Sequence, residues 1–152
     1  MKINIVAVGK IKEKFFTDAI QEYQKRLSKF CDLKIIEVQE ASNYKNLEEK
    51  SKLEGELLLS KSRGYLIALD GSSKQLSSEE IAQTISEKMI NGVSEISFII
   101  GGSNGLSQEV LSKVNLKVSF GKITFPHQLF RVVLSEQIYR AFTIINGMPY
   151  HK

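Results

Sequence analysis

Tyr150, His151 and Lys152 place a phenol, an imidazole and an ammonium side by side. An imidazole exchanges a proton near neutral pH, a phenol ring stacks on a nucleobase and an ammonium holds phosphate. These three residues close the stretch 119–152, SFGKITFPHQLFRVVLSEQIYRAFTIINGMPYHK, which joins a glycine-containing loop, a largely apolar helix and a polar aromatic tail. The two prolines of the chain, Pro126 and Pro149, bracket that helix, and its two histidines, His127 and His151, lie within two residues of them. His127 directly follows Pro126 and falls at the helix start, where capping is its simpler role. His151 is the better candidate for proton transfer.

The helix expected over 127–145 is apolar almost all round, and its few polar residues align. Gln128, Arg131 and Ser135 follow i, i+3, i+7, while Glu136 and Arg140 form an i, i+4 pair. Charges on an apolar helix cost desolvation unless paired, so Arg131 and Arg140 are read either as structural ion pairs or as anchors for phosphate and the tail. A helix apolar on more than one side is buried between layers or against a second subunit. The expectation drawn from this is a homodimer that uses this helix.

Two further segments suit a ligand. The run 101–105, Gly-Gly-Ser-Asn-Gly, lets backbone approach a bound molecule, although it matches neither GxGxxG nor a phosphate-binding P-loop. The loop 120–126 carries apolar Ile123 and Phe125 where turn chemistry favours polar residues. They either tuck beneath the core or wall a pocket for a flat ring such as adenine, with backbone groups on the ring edge.

The elements that must position these groups alternate. Apolar runs at 2–8, 33–38, 65–69, 96–100 and 116–120 predict strands. Helical spacing appears at 12–29, at 47–62, after the capping box of Ser77 and Glu80, and briefly around Val110 and Leu111. Strands apolar on both faces and interleaved with helices predict an α/β fold with a mostly parallel sheet and helices on both faces. Ligands then bind beyond the carboxyl ends of the strands, where the loops after 69, 100 and 120 diverge.

Composition sets outer bounds. The 152 residues suit one domain over 1–152, and 42% hydrophobic with 25% charged residues is ordinary for a globular protein. A net charge of +4 is mild basicity without a polybasic run, which permits nucleic acid without requiring it. Cys31 is the only cysteine, so neither an internal disulfide nor a CxxC zinc site is available. No apolar run reaches membrane-spanning length and 3–8 is too short for a signal-peptide core, so a cytoplasmic protein with no membrane partner is expected.

The segments TFPHQLFRVVLSEQIYRAFTIINGMPYHK, IIGGSNGLS, LIALDG and MKINIVAVGK together resemble the RlmH family of SPOUT methyltransferases, and the likeness covers essentially the whole chain. It implies a C-terminal trefoil knot, an exception to the usual absence of threaded loops, and a homodimer. It also implies S-adenosyl-L-methionine as cofactor, and methylation of N3 of a pseudouridine in 23S ribosomal RNA within the assembled ribosome. Carried onto this chain, the cofactor positions are Leu69, Gly102, Gly121, Lys122, Ile123, Thr124, Phe125 and Pro126. His151, Tyr150 and Arg140 become the catalytic candidates, with Arg131 and Lys152 toward RNA. Where many relatives place Ser, this chain has Phe120-Gly121, a change that backbone-mediated contacts survive. The rival classes are an adenine-nucleotide-binding module without chemistry and a noncatalytic ribosome-associated factor.

Overall fold

Residues 2–8 extend because Ile3, Ile5 and Ala7 alternate with Asn4, Val6 and Val8, and both sets find an apolar layer to enter. The computed structural model describes residues 1–43 and 46–152. In chain order it contains β1 (Lys2–Val8), α1 (Lys14–Leu27), β2 (Asp32–Val38), α2 (Leu47–Lys61), β3 (Tyr65–Leu69), α3 (Ser78–Ile90), β4 (Glu95–Ile100), α4 (Gln108–Lys113), β5 (Leu116–Val118) and α5 (His127–Ile145). All strand pairings are parallel, in the order β2-β1-β4-β3-β5. Ile5 stands opposite Ile35 on one side and Phe98 on the other.

The two faces carry separate cores. Ile3, Ile5, Ala7, Phe98 and Ile100 meet Leu27 of α1, Ile81 and Ile85 of α3, and Leu134, Ile138 and Phe142 of α5. Val6, Val8, Val38 and Ile99 meet Leu58 of α2 and Val110 of α4. Helices therefore cover both faces, as the doubly apolar strands require.

Helix α5 lies between α1 and α3 over the sheet. Its own neighbours thus cover much of the apolar surface that the sequence assigned to a second subunit. Val132 and Val133 remain half-buried.

Local chemistry sets the boundaries. The predicted box before α3 forms: Glu80 N–H donates to Ser77 Oγ at 3.1 Å and Ser77 N–H to Glu80 Oε2 at 2.7 Å. Helix α1 starts two residues later than the periodicity suggests, because the Lys12 and Glu13 N–H groups donate to Gln128 Oε1 of α5 at 2.9 and 3.4 Å. Strand β5 stops at Val118, short of the predicted 120. There the Ser119 hydroxyl accepts from Gly121 N–H at 3.1 Å and donates toward Gly71 O and Gly121 O at 3.2 and 3.0 Å. The chain turns off the ladder at Gly121, whose φ of +116° favours glycine. No described helix is long and apolar enough to cross a membrane.

Candidate active site

Strands β4, β3 and β5 are neighbours in the sheet, so the loops leaving their carboxyl ends converge. Between these loops and the first turns of α5 lies a cavity of about 220 Å³. Leu69 and Asp70 enter from β3, Ile100, Gly101 and Gly102 from β4, and Phe120 and Gly121 from beyond β5. Ile123, Thr124 and Phe125 form the next stretch of wall, and His127 and Phe130 of α5 complete it. Of the positions expected to hold the cofactor, Leu69, Gly102, Gly121, Ile123, Thr124 and Phe125 are thus brought together, while Lys122 and Pro126 share the loop without lining the cavity.

Close packing behind this surface demands glycine. A Cβ on Gly101 would stand 2.6 Å from the carbonyl carbon of Gly105, and one on Gly102 would stand 3.0 Å from Glu54 Oε1 and 3.3 Å from Val8. The apolar loop resolves in two ways at once. Phe125 is half-buried with its ring centroid 5.6 Å from that of Phe130, whereas Ile123 is 76% exposed.

Asp70 lies at the edge of this chamber, between it and the 72–74 loop. The Asp70 carboxylate accepts from Ser73 Oγ at 2.6 Å and Ser72 Oγ at 2.8 Å. The Ser73 hydroxyl chiefly, with Ser72, holds it below the usual carboxylate range, so it is ionised at neutral pH. Apolar walls at Leu69, Ile123 and Phe125, bare backbone at Gly102 and Gly121, and a carboxylate at the cavity's edge fit an adenosyl group attached to a positively charged sulfonium.

The tail is docked on the other half of α5. Arg140 grips Glu136 in a fork, with Nη2 at 2.8 Å from Oε2 and Nε at 3.1 Å from Oε1. Tyr150 OH donates to Glu136 Oε2 at 3.0 Å, and its ring lies under the Arg140 guanidinium, 4.9 Å from the centroid, and edge-on to Tyr139. Burial first, and then the Glu136 carboxylate, push the Tyr150 phenol up, so it stays a neutral donor. His151 Nδ1 lies 3.1 Å from Arg140 Nη1, and Nε2 lies 2.6 Å from Glu79 Oε1 in the first turn of α3. Lys152 is exposed.

Arg140, Tyr150 and His151 are therefore assembled into one cluster, but none of them lines the cavity of the same chain. Phe130 and Arg140 are ten residues apart on one helix, which corresponds to about 15 Å along its axis.

The expectation for Arg131 is overturned. Its side chain is 1% exposed, with Nη2 donating to Val8 O at 2.6 Å and Nη1 to Glu37 Oε2 at 3.1 Å. Gln128, Arg131 and Ser135 do share a face, but it turns toward the protein: Gln128 accepts from the backbone before α1, Ser135 bonds Arg131 O, and Arg131 fastens α5 to Val8 of β1 and Glu37 of β2, so the guanidinium is out of reach of RNA. His127 and Phe130 were missed as cavity residues, while Asp70 lies in the loop after 69 that was expected to meet a ligand without being singled out within it. Glu79 was missed because the capping pattern around it accounted for the local charge.

The family model described as "Predicted SPOUT methyltransferase" matches residues 1–151. The chain is 54% identical to "Ribosomal RNA large subunit methyltransferase H" of Carboxydothermus hydrogenoformans and 53% identical to the protein of that name from Clostridium botulinum, each alignment covering 100% of both chains. Among solved structures, "a probable methylase family protein from Haemophilus influenzae Rd KW20" shares the fold, with a TM-score of 0.57 at 14% identity over 99% of this chain and 70% of that one. Sequence match along the whole length and the shared architecture agree: the chain belongs to the SPOUT methyltransferase family.

Proposed function

We propose that this protein methylates N3 of a pseudouridine in 23S ribosomal RNA, using S-adenosyl-L-methionine, as a cytoplasmic homodimer acting on the assembled ribosome. The observation that carries the reading is the glycine-walled cavity at the ends of β3, β4 and β5, present in a chain 54% identical over its full length to a ribosomal RNA methyltransferase. The folded unit is taken as one domain over 1–152. Its C-terminal knot belongs to the same reading.

Leu69, Ile123 and Phe125 would sandwich the adenine, and backbone at Gly102 and Gly121 would meet its polar edge. Asp70 would balance positive charge on the ligand. When bound, S-adenosyl-L-methionine supplies an activated methyl group on a sulfonium. The chain's own task is to align N3 of the base and remove its proton. His151 accepts that proton, Tyr150 orients the ring by stacking or by donating its hydroxyl, and Arg140 stabilises negative charge that develops on the base. Lys152, exposed at the tail, meets phosphate.

The separation of tail and cavity along α5 supports a composite site, in which the tail of one subunit sits beside the cavity of the other. Exposed Ile123 and half-buried Val132 and Val133 give the contact an apolar surface. The modest charge of +4 favours recognition of ribosome shape over tight binding to naked RNA.

Transfer of labelled methyl from S-adenosyl-L-methionine to purified ribosomes lacking the modification, followed by mass spectrometry of the nucleosides, tests this directly. N3-methylpseudouridine is the expected product. Cofactor and ribosome binding without transfer would instead identify a noncatalytic factor. Mixing His151→Ala subunits with subunits altered in the cavity should restore activity if the site is shared between subunits.

A further inference from the structure

We propose that Glu79 is a positioning residue for methyl transfer, holding His151 by Nε2 so that Nδ1 is the nitrogen that takes the substrate's proton. The inference rests on the reading of His151 as the base. Arginine has only donors to offer, so the 3.1 Å contact with Arg140 Nη1 requires Nδ1 to be an acceptor. The ring's hydrogen then belongs on Nε2, where Glu79 Oε1 accepts it at 2.6 Å. The carboxylate and the guanidinium agree on one tautomer.

The fold brings Glu79 to this place. Ser77 caps α3, and Ser78 Oγ donates to Gln137 Oε1 of α5 at 2.6 Å, which pins the first turn of α3 beside Glu136 and Arg140. The charged groups around His151 are Glu79 from α3, Arg140 from α5 with its partner Glu136, and the adjoining tail residues Tyr150 and Lys152. The two that touch the ring have distinct tasks. Arg140 occupies the Nδ1 lone pair and must yield it when the base arrives. Glu79 keeps its bond throughout and stabilises the imidazolium that forms when the proton moves from N3 to Nδ1. The Glu79 carboxyl is itself held below its usual range, chiefly by this bond to His151.

Glu79→Gln keeps an acceptor for Nε2–H but removes the charge, and with 62% of the side chain exposed the variant folds. Turnover should fall about threefold to tenfold while KM for ribosomes and for S-adenosyl-L-methionine stays within about twofold of wild type. Glu79→Ala should lose more, having lost the acceptor as well. Wild-type turnover by Glu79→Gln while His151→Ala is inactive would overturn the proposal, and so would a change confined to KM. Full turnover by His151→Ala would instead remove the base reading on which the proposal stands.

Discussion

Arg131→Met separates an arginine that holds the fold together from one that touches RNA. The guanidinium donates to Val8 O at 2.6 Å in a buried setting, a charge-assisted bond worth about 1.5–3 kcal/mol. Its ion pair with Glu37 adds about 1 kcal/mol at most, because that carboxylate is 35% exposed. Against these, Arg131 Nε is buried without an acceptor, and methionine relieves that cost of about 1 kcal/mol while filling similar space. The net loss is about 0.5–3 kcal/mol, which in a chain of 152 residues lowers Tm by about 1–12 °C. Burial lowers the Arg131 pKa, with Glu37 opposing, yet the side chain keeps its charge across the accessible pH range, so the loss should be the same at pH 6 and pH 8. Arg131→Lys should recover little, since one ammonium cannot reproduce a fork that spans Val8 O and Glu37. Calorimetry gives the stability and a ribosome-binding titration gives the alternative. A Tm within about 1 °C of wild type together with weakened ribosome binding would refute the structural account and return Arg131 to the RNA contacts.

Gly101→Ala, whose Cβ would press on the Gly105 carbonyl group, should weaken S-adenosyl-L-methionine binding roughly tenfold or more relative to wild type by calorimetric titration. Equal affinities would show that the 101–105 loop does not shape the cofactor site. Burial pushes the Cys31 thiol up to about 11, so its alkylation near pH 7.5 should proceed only as fast as the protein unfolds, and a rapid native-state reaction would contradict the placement. The lowered Asp70 carboxyl binds its proton more weakly in the native state than in the unfolded chain. Its stabilising contribution is therefore complete above about pH 4 and fades as pH falls through the native value. Asp70→Asn should melt below wild type at pH 7, with the gap closing toward pH 3; a gap independent of pH would show that the charge is not responsible.

Much of this was legible because local patterns were strong. The span of α5 is marked by Pro126 before it and the Asn146-Gly147 step after it, and β3 by an apolar run ending at Asp70-Gly71. The convergence of the loops after 69, 100 and 120 followed from a parallel sheet. What remained hidden depends on partners distant in sequence. Gln128 trims α1 from more than a hundred residues away, and Ser119 ends β5 by bonding Gly71. An i, i+3, i+7 alignment tells that Gln128, Arg131 and Ser135 share a face, but nothing in it says whether that face meets solvent or the end of β1. The tail's aromatic and basic residues marked a site, while its grip on Glu79 required α3 to be seated beside α5.

The strand order carries a consequence for how the chain acquires its shape during synthesis. β1 can pair with β2 once some forty residues have emerged, since their register runs Lys2↔Asp32 to Val8↔Val38. The other edge of β1 belongs to β4, which joins at Lys2↔Glu95, and β3 has no partner in the sheet until β4 and then β5 arrive. A nascent chain ending before residue 95 therefore carries the open edge of β1 and an unpaired, largely apolar β3, a state prone to wrong pairing. Contacts across such sequence distances make folding slow relative to the first hairpin-scale events, and truncated chains that stop between β3 and β4 should be the ones that chaperones retain.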